Sequence, residues 1–227
     1  MSRIIKIGSV IMSIMLLFSV TVFAEDLNQE LLAAVLAGKI DEANGLIDKG
    51  ADINMKNKAG WTVLMSGLLL NNNTEMAKDL IDKGADINVK DNDRNTMLMT
   101  AAIKGNAEIL AILLDKGLDV NAKNNDGETA LSGVVTGGGR IEIVNALLDK
   151  GADINARSSY NRTPLYEAVW LGYIDIVKVL IGRGAEINVK DNSGKTILTA
   201  ATELAAAGAS SHSNEIVDLL KQAGAKE

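Results

Sequence analysis

The sequence predicts an all-helical array of short stacked repeats, and two recurring phrases support that prediction. A phrase close to Gly-Ala-Asp-Ile-Asn recurs at intervals of 34, 33, 34 and 33 residues, beginning at Gly50, Gly84, Gly117, Gly151 and Gly184. A threonine followed two residues later by leucine keeps the same spacing, at Thr62, Thr96, Thr129, Thr163 and Thr196. Units of this size cannot bury their own apolar face, so neighbouring units must cover it.

The first 24 residues resemble a secretory signal peptide. Arg3 and Lys6 form a basic head, an uncharged apolar stretch runs over residues 7–23, and small residues at Val22 and Ala24 surround a cleavage point before Glu25. The alternative is an uncleaved membrane anchor, because the apolar stretch is about long enough to cross a bilayer. We expect cleavage, and hence an exported chain with no stable membrane insertion afterwards.

Composition narrows the classes of function that remain. Without the leader, residues 25–227 hold 21 basic and 29 acidic side chains, a net charge of −8 that argues against nucleic acid as a partner. No cysteine is present, so an exported chain of this kind depends on packing alone.

The unit over residues 161–192 has the clearest helix signals. Thr163 can cap a helix that starts with Pro164 and ends near Gly172. A second helix is expected from about Asp175 to the glycines at 182–184, where a left-handed cap is favoured.

This pattern, Thr-Pro-Leu-x-x-Ala, then glycine, then an acidic residue with Ile-Val, then Gly-Ala-Asp-Ile-Asn, resembles the ankyrin repeat over essentially all of residues 25–227. The resemblance implies a β-turn finger and two antiparallel helices in each unit, stacked into a curved α-solenoid that usually binds another protein. Six units are expected in one continuous domain, at about 25–57, 58–91, 92–124, 125–158, 159–191 and 192–227. The first should be a capping unit, because Glu42 stands where the other units carry an apolar residue.

Several positions depart from the family pattern. The histidine usual three residues after the threonine is replaced by Met65, Met99, Ser132, Tyr166 and Thr199, which puts its hydrogen bonds to the turn in doubt. Arg94 stands where the family prefers glycine, and a left-handed backbone there would cost about 1 kcal/mol. An insertion within residues 205–214, rich in alanine, glycine and serine, is expected to form a mobile loop.

The resemblance also implies where a partner binds. In the ankyrin pattern, the residues just before the threonine and those seven and eight positions after it point toward the concave groove. The expected partner-binding residues are Trp61, Leu69, Leu70, Asn95, Ile103, Lys104, Glu128, Tyr160, Arg162, Trp170, Leu171 and Lys195. Four of the five aromatic residues in 25–227 belong to one repeat, and aromatic and arginine side chains dominate interface hot spots. The alternative for Trp170 is packing against the adjacent helix.

No catalytic, metal or cofactor site is indicated. The only histidine, His212, lies in the insertion, and the sequence has no second histidine or cysteine to complete a metal site. We expect His212 to be an exposed loop residue. Three glycines at 137–139 could cradle a phosphate but lack the accompanying lysine motif, so a turn insertion is preferred. A lysine or arginine occurs two places after each repeated asparagine, as at Lys56. We interpret this column of basic residues as a solvent-exposed edge of the array.

These observations favour a monomeric, non-catalytic protein-interaction module that is periplasmic or secreted and uses no cofactor. One plausible role is to stabilise or regulate an envelope enzyme, and the alternative is a secreted effector that binds a host protein. An enzyme or small-ligand binder centred on the aromatic repeat ranks lower, because it would need convergent polar groups in a pocket.

Export gives the first testable expectation. Mass spectrometry of the chain from an envelope extract should show an N-terminus at Glu25, because the leader ends in a small-residue cleavage pattern. Recovery of intact Met1 in an integral membrane fraction would instead establish the anchored form.

Overall fold

A computed structural model describes residues 26–209 and 212–226 of the 227-residue chain. The predicted signal peptide and its anchor alternative fall outside the described residues. The same holds for Ser210 and Ser211 of the predicted insertion.

Twelve helices make up the regular structure of the described residues. They are α1 (26–36), α2 (Ile40–Asp48), α3 (Val63–Asn71), α4 (Thr74–Asp82), α5 (Met97–Lys104), α6 (Ala107–Asp115), α7 (Ala130–Thr136), α8 (Ile141–Asp149), α9 (Pro164–Trp170), α10 (Ile174–Gly182), α11 (Ile197–Ala206) and α12 (Ser213–Gln222). Within this part of the chain there are no β-strands, only isolated bridges that pair Lys56 with Thr62, Lys90 with Thr96 and Lys190 with Thr196. The predicted all-helical class is confirmed.

The chain divides into two compact units at the boundary between Asp86 and Ile87. In unit 2, from Ile87 onward, α5, α7, α9 and α11 pack in that order, each against the next. The partners α6, α8, α10 and α12 pack in a second row behind them. In unit 1, α3 packs against α4, and Gly67 of α3 lies so close to Val35 of α1 that an added Cβ would approach its side chain to 2.8 Å.

The repeated threonine caps the first helix of each pair. In all five cases its Oγ1 accepts a hydrogen bond from the backbone N–H three residues later, at 3.0–3.5 Å. An N-cap of this kind satisfies one of the backbone donors that a helix start leaves open. The threonine spacing therefore fixes where each helix begins.

The repeated asparagine connects one repeat to the next. The Oδ1 of Asn54 accepts from the backbone N–H of Asp86 at 2.8 Å, and Asn121 and Asn155 accept from Asp153 and Glu186 at 2.7 and 2.8 Å. Within the phrase, the Asp153 carboxylate accepts in turn from the Asn155 N–H at 2.9 Å. The asparagine acts as a hook between repeats, and the aspartate sets the local turn that presents it.

A second polar position closes each finger turn. In the finger that begins at Asp91, the backbone N–H of Arg94 donates to the Asp91 carbonyl, and the Asp91 carboxylate accepts from the N–H groups of Asp93 and Asn95 at 3.0 and 2.7 Å. The turn places Arg94 at φ 64°, in the left-handed region for which the family prefers glycine at this position. The equivalent position is Asn161 at φ 59° in one repeat and glycine in the others.

The first repeat is a capping repeat, as predicted. Glu42 is exposed on α2, whereas the corresponding residues of the later second helices are at most 2 % exposed, namely Met76, Ile109, Ile143, Ile176 and Ile216. Among the described residues none buries Glu42, as expected for the polar outer face of a capping repeat.

Gly137 and Gly139 have packing reasons to be glycine, and Gly138 has a backbone reason. A Cβ on Gly137 would come within 2.3 Å of the Ile103 carbonyl oxygen, and one on Gly139 within 2.9 Å of the Tyr173 ring. Gly138 and Gly139 also adopt positive φ angles, of 118° and 64°. The turn between α7 and α8 depends on this close approach.

The predicted insertion is only partly a loop. Residues 205–206 are the last turn of α11, and residues 213–214 begin α12. The connection between the two helices therefore lies inside the range 205–214 in which the insertion was predicted, because alanine favours continuation of α11 and Ser213 packs into a buried position at the start of α12.

Strain at Arg94 can be tested by substitution. We expect Arg94→Asn to raise the free energy of unfolding by about 0.5–1 kcal/mol, because asparagine tolerates the left-handed backbone that arginine adopts at a cost. Urea denaturation followed by circular dichroism measures the change.

Gly194→Ala is the matched control, since Gly194 has the same finger position at φ 83° and nothing lies within 4 Å of an added Cβ. It should lose about 1 kcal/mol from backbone strain alone. Equal stability of all three chains would contradict the assignment of strain.

Candidate partner-binding surface

Five large apolar side chains are exposed among the described residues, and all five belong to the set predicted from the sequence. Their exposed fractions are 62 % for Tyr160, 58 % for Leu70, 42 % for Trp170, 40 % for Leu171 and 38 % for Ile103. Leu70 lies on α3 of unit 1, and the other four lie in unit 2. Exposed apolar residues on one set of repeat positions are typical of an interaction surface.

The remaining predicted residues are half-buried. Trp61 and Leu69 lie in unit 1, and Asn95, Lys104, Glu128, Arg162 and Lys195 lie in unit 2. Asn95 donates to the Asp91 carboxylate at 2.9 Å and accepts from Asn124 at the same distance. Asn124 also donates to Glu128 at 3.2 Å, so these polar residues join one finger to the next.

Arg162 is held in place by two aromatic rings. Its guanidinium carbon lies 5.1 Å from the centre of the Tyr166 ring and 5.3 Å from that of Trp170, both within cation–π range. The carboxylates of Glu167 and Asp191 are farther than a normal hydrogen bond, at 3.6 and 4.0 Å from its terminal nitrogens. The two rings are therefore the near neighbours of the guanidinium, and Trp170 is both exposed and within cation–π distance of Arg162.

Tyr166, which replaces the family's histidine in its repeat, packs in the core and bonds to the next finger. It is 1 % exposed, and its hydroxyl donates to the Asp191 Oδ2 at 3.0 Å, which links α9 to the next finger. Burial, with this hydrogen bond and the charge of Asp191 as lesser causes, raises the pKa of the Tyr166 hydroxyl to about 12. The tyrosine thus supplies a turn contact at one of the positions where the family's histidine is missing.

Asp191 organises the last finger of unit 2. The Ser193 hydroxyl donates to its Oδ1 at 2.6 Å, and the Ser193 and Lys195 N–H groups donate to the same oxygen at 2.9 and 3.1 Å. These bonds, with the Ser193 hydroxyl first, hold the pKa of Asp191 at about 2. The sequence analysis missed this residue, although a side chain that can accept hydrogen bonds recurs at the equivalent place in every finger, from Asn57 to Asp191.

Glu167 lies beside Arg162 and was also missed. Burial raises the pKa of its carboxyl, and the charge of Glu128 adds to the rise, while Arg162 acts in the opposite direction. Both causes of the rise are tertiary, because burial comes from packing and Glu128 belongs to the preceding repeat, so no sequence motif signals the raised pKa.

A cavity in unit 1 is a further feature that the sequence did not indicate. It has a volume of about 620 Å³ and is lined by α1 and the first finger, through Asn28, Gln29, Leu32, Ala33, Leu36, Met55, Lys56, Asn57 and Lys58. Lys56, interpreted from the sequence as part of a solvated edge, therefore lines a cavity.

His212 is exposed, as predicted, and directly precedes α12. Residues 26–209 and 212–226 contain no group of three or more side chains suited to hold a metal ion. In the same residues, no helix has the length and apolar character needed to cross a membrane.

Paired helices, threonine caps and asparagine hooks together define a helical repeat scaffold whose finger turns and first helices carry exposed side chains. A family profile described as "Ankyrin repeats (3 copies)" matches residues 31–124 and 117–191. The chain belongs to the ankyrin repeat family. Ankyrin repeats indicate a protein–protein interaction module, and the family is generally non-catalytic. No individual curated protein matched the sequence.

The Asp191 network predicts a pH-dependent contribution to stability. Because the pKa of Asp191 is lower in the folded chain than in the unfolded chain, its contribution is present above about pH 4 and is lost as the pH falls toward about 2. The free-energy difference between wild type and Asp191→Asn should therefore be largest near neutral pH and shrink over this interval. Urea denaturation at several pH values measures it.

Asp218→Asn serves as the control, because Asp218 is exposed on α12. Its stability profile should run parallel to that of the wild type. A difference for Asp191→Asn that does not change with pH would contradict the assigned ionisation.

Proposed function

We propose that this ankyrin repeat protein is exported from a bacterial cell and acts in the periplasm or cell envelope by binding a protein whose stability or activity it controls. The coincidence between the predicted groove positions and the exposed large apolar side chains, one in unit 1 and four in unit 2, is the observation that supports binding through these positions. The leader pattern in residues 1–24 supports export.

The surface of unit 2 has the composition of an interface centre. Tyr160 and Trp170 expose aromatic area, and the Arg162 guanidinium lies between Trp170 and Tyr166. Tryptophan, tyrosine and arginine carry most of the binding energy at protein interfaces when a partner covers them. Because the rings already orient Arg162, less conformational entropy is lost on binding than with a free side chain.

Binding on this scaffold would be non-covalent and would involve no catalysed reaction. Exposed apolar groups supply the area that is removed from water, and the finger turns supply polar groups at fixed positions. The fingers are fixed because each is closed by its own side-chain acceptor, as Asp191 closes the last one.

Partner capture tests the proposal. Cells would be crosslinked in their native state, the chain recovered from the envelope fraction, and co-purified proteins identified by mass spectrometry. A specific envelope protein is the expected result. Release of the chain into the culture medium, with no envelope partner, would contradict the periplasmic role and favour the secreted effector.

Trp170 gives the quantitative prediction. Trp170→Ala should weaken partner binding by about 2 kcal/mol or more, because it removes exposed aromatic area and one of the two rings against Arg162. Isothermal titration calorimetry with the captured partner measures the loss, and the helical circular dichroism signal should be unchanged. Trp170→Phe keeps a ring and should lose less.

Lys116→Ala is the control for this measurement, since Lys116 is exposed just beyond α6 and outside the predicted surface. Its effect should stay within about 0.5 kcal/mol. Normal binding by Trp170→Ala would place the interaction surface elsewhere.

A further inference from the structure

We propose that the groove face of unit 2, which is the exposed side of α5, α7 and α9, docks a partner segment whose arginine side chain lies over α7, between Glu128 and Glu167. This inference rests on the proposed protein-binding function and names the chemistry of the segment that this face receives.

The groove face is low over α7, because both neighbours of α7 carry exposed apolar side chains and α7 does not. Helix α7 packs between α5 and α9. Its positions equivalent to Trp170 and Leu171 hold Thr136 and Gly137, which are both exposed. Ile103 of α5 and Trp170 of α9 are 38 % and 42 % exposed. A long side chain from a partner can therefore lie over α7 with its aliphatic stem beside apolar groups.

Two carboxylates border this low part of the face. Glu167 has on α9 the position that Gly133 has on α7, and an added Cβ on Gly133 would approach the Ile103 side chain to 3.0 Å. Glu128 directly precedes the threonine that caps α7. Burial raises the pKa of Glu167, and the negative charge of Glu128 adds to that rise, so the two carboxylates repel each other. A cation placed between them would relieve the repulsion.

Carboxylates outnumber cations around Arg162. Its terminal nitrogens lie 3.6 Å from Glu167 and 4.0 Å from Asp191. Glu128 accepts a hydrogen bond from the neutral amide of Asn124 at 3.2 Å, and among the described residues no cation lies within 4 Å of it. Three carboxylates thus share one guanidinium, and this excess favours a positively charged occupant.

The other charged side chains at the groove positions do not reverse this balance. Lys195 donates to Glu203 at 2.5 Å, so that pair is neutral as a whole. Lys104 on α5 is the remaining cation. With these included, the groove positions named here hold four carboxylates and three cations, and the face stays acidic.

Arginine suits this face better than lysine. Its planar guanidinium can donate to two carboxylates and stack on an aromatic ring, whereas the lysine ammonium is a compact point charge. The ring of Trp170 already lies within cation–π distance of one guanidinium, that of Arg162, and keeps 42 % of its surface exposed. An arginine flanked by leucine would also cover the exposed aliphatic groups of Ile103 and Leu171.

Fluorescence anisotropy with labelled peptides tests the proposal on the full purified chain. The probes are Leu-Arg-Ala-Leu-Arg and its charge-reversed form Leu-Glu-Ala-Leu-Glu, both with blocked termini. The measurement uses about 150 mM NaCl, which screens exposed charges farther apart than about 8 Å. We expect the arginine peptide to bind at least about tenfold more tightly than the glutamate peptide. Equal affinities would overturn the proposal.

Variants of the face locate the binding. The double variant E128Q/E167Q should lose at least about tenfold in affinity for the arginine peptide, because it removes both carboxylates. E142Q/D218N is the matched control, since it removes the same charge from exposed positions of α8 and α12, and it should change affinity by less than about twofold. Unchanged affinity in E128Q/E167Q would overturn the site.

Thr136→Arg gives a second, independent test. It places a guanidinium of the chain itself over α7, where it would compete with the partner's arginine, so affinity for the arginine peptide should fall at least about tenfold. The helical circular dichroism signal should be unchanged, because Thr136 is exposed. Full affinity in a folded Thr136→Arg chain would contradict docking over α7.

Two further outcomes separate this proposal from its basis. If the wild type and E128Q/E167Q capture the same envelope partner equally well, the arginine site is overturned while the proposed function stands. If spermidine binds with this dependence on Glu128 and Glu167 and the arginine peptide does not, the occupant is a small polycation and the proposal fails.

Discussion

The structure depends on apolar burial between neighbouring repeats, because no repeat is stable alone. The helices α2 to α12 are only seven to ten residues long, and isolated helices of that length are marginal in water. In unit 2, Leu131 and Leu165 of consecutive first helices are fully buried. Burial of one such leucine stabilises the folded state by about 1.5–3 kcal/mol. Each helix pair is thus kept helical by its neighbours.

Hydrogen bonds from polar side chains fix the positions at which the helices and repeats pack. The threonine caps decide where the first helix of each pair begins, and the asparagine hooks decide how far the next repeat lies from the last. Packing alone would tolerate small slips between short helices, but a hydrogen bond at 2.8 Å does not. The side chains on the exposed face consequently keep fixed spacings, which a rigid binding surface requires.

The sequence was sufficient for the elements that follow local rules. The threonine and glycine signals gave the bounds of α9 and α10 to within about one residue. The repeat pattern also marked Arg94 as standing where glycine is preferred, and the backbone there has a positive φ. Exposure of Trp170 followed from its repeat position.

The features that were missed all depend on contacts between repeats. The pKa of Glu167 is raised in part by the charge of Glu128 in the preceding repeat. Asp191 accepts a hydrogen bond from the Tyr166 hydroxyl, which also belongs to the preceding repeat. The cavity of unit 1 lies in the repeat with the weakest motif, where the face of α1 is not marked by a threonine. Local periodicity cannot show which side chains meet across a repeat boundary. The role of the surface residues in partner binding remains a prediction.

The asparagine hook also affects how such a chain can change during evolution. Its acceptor oxygen contacts a main-chain N–H, and the residue that supplies this donor varies, from Asp153 to Glu186 to Lys226, without loss of the bond. Because the donor is a main-chain N–H, the hydrogen bond does not depend on the side chain of the neighbouring repeat, and any repeat can follow. Duplication or deletion of a whole repeat in the gene would therefore leave every remaining hook with a donor, and the length of the array can change without redesign of its joints.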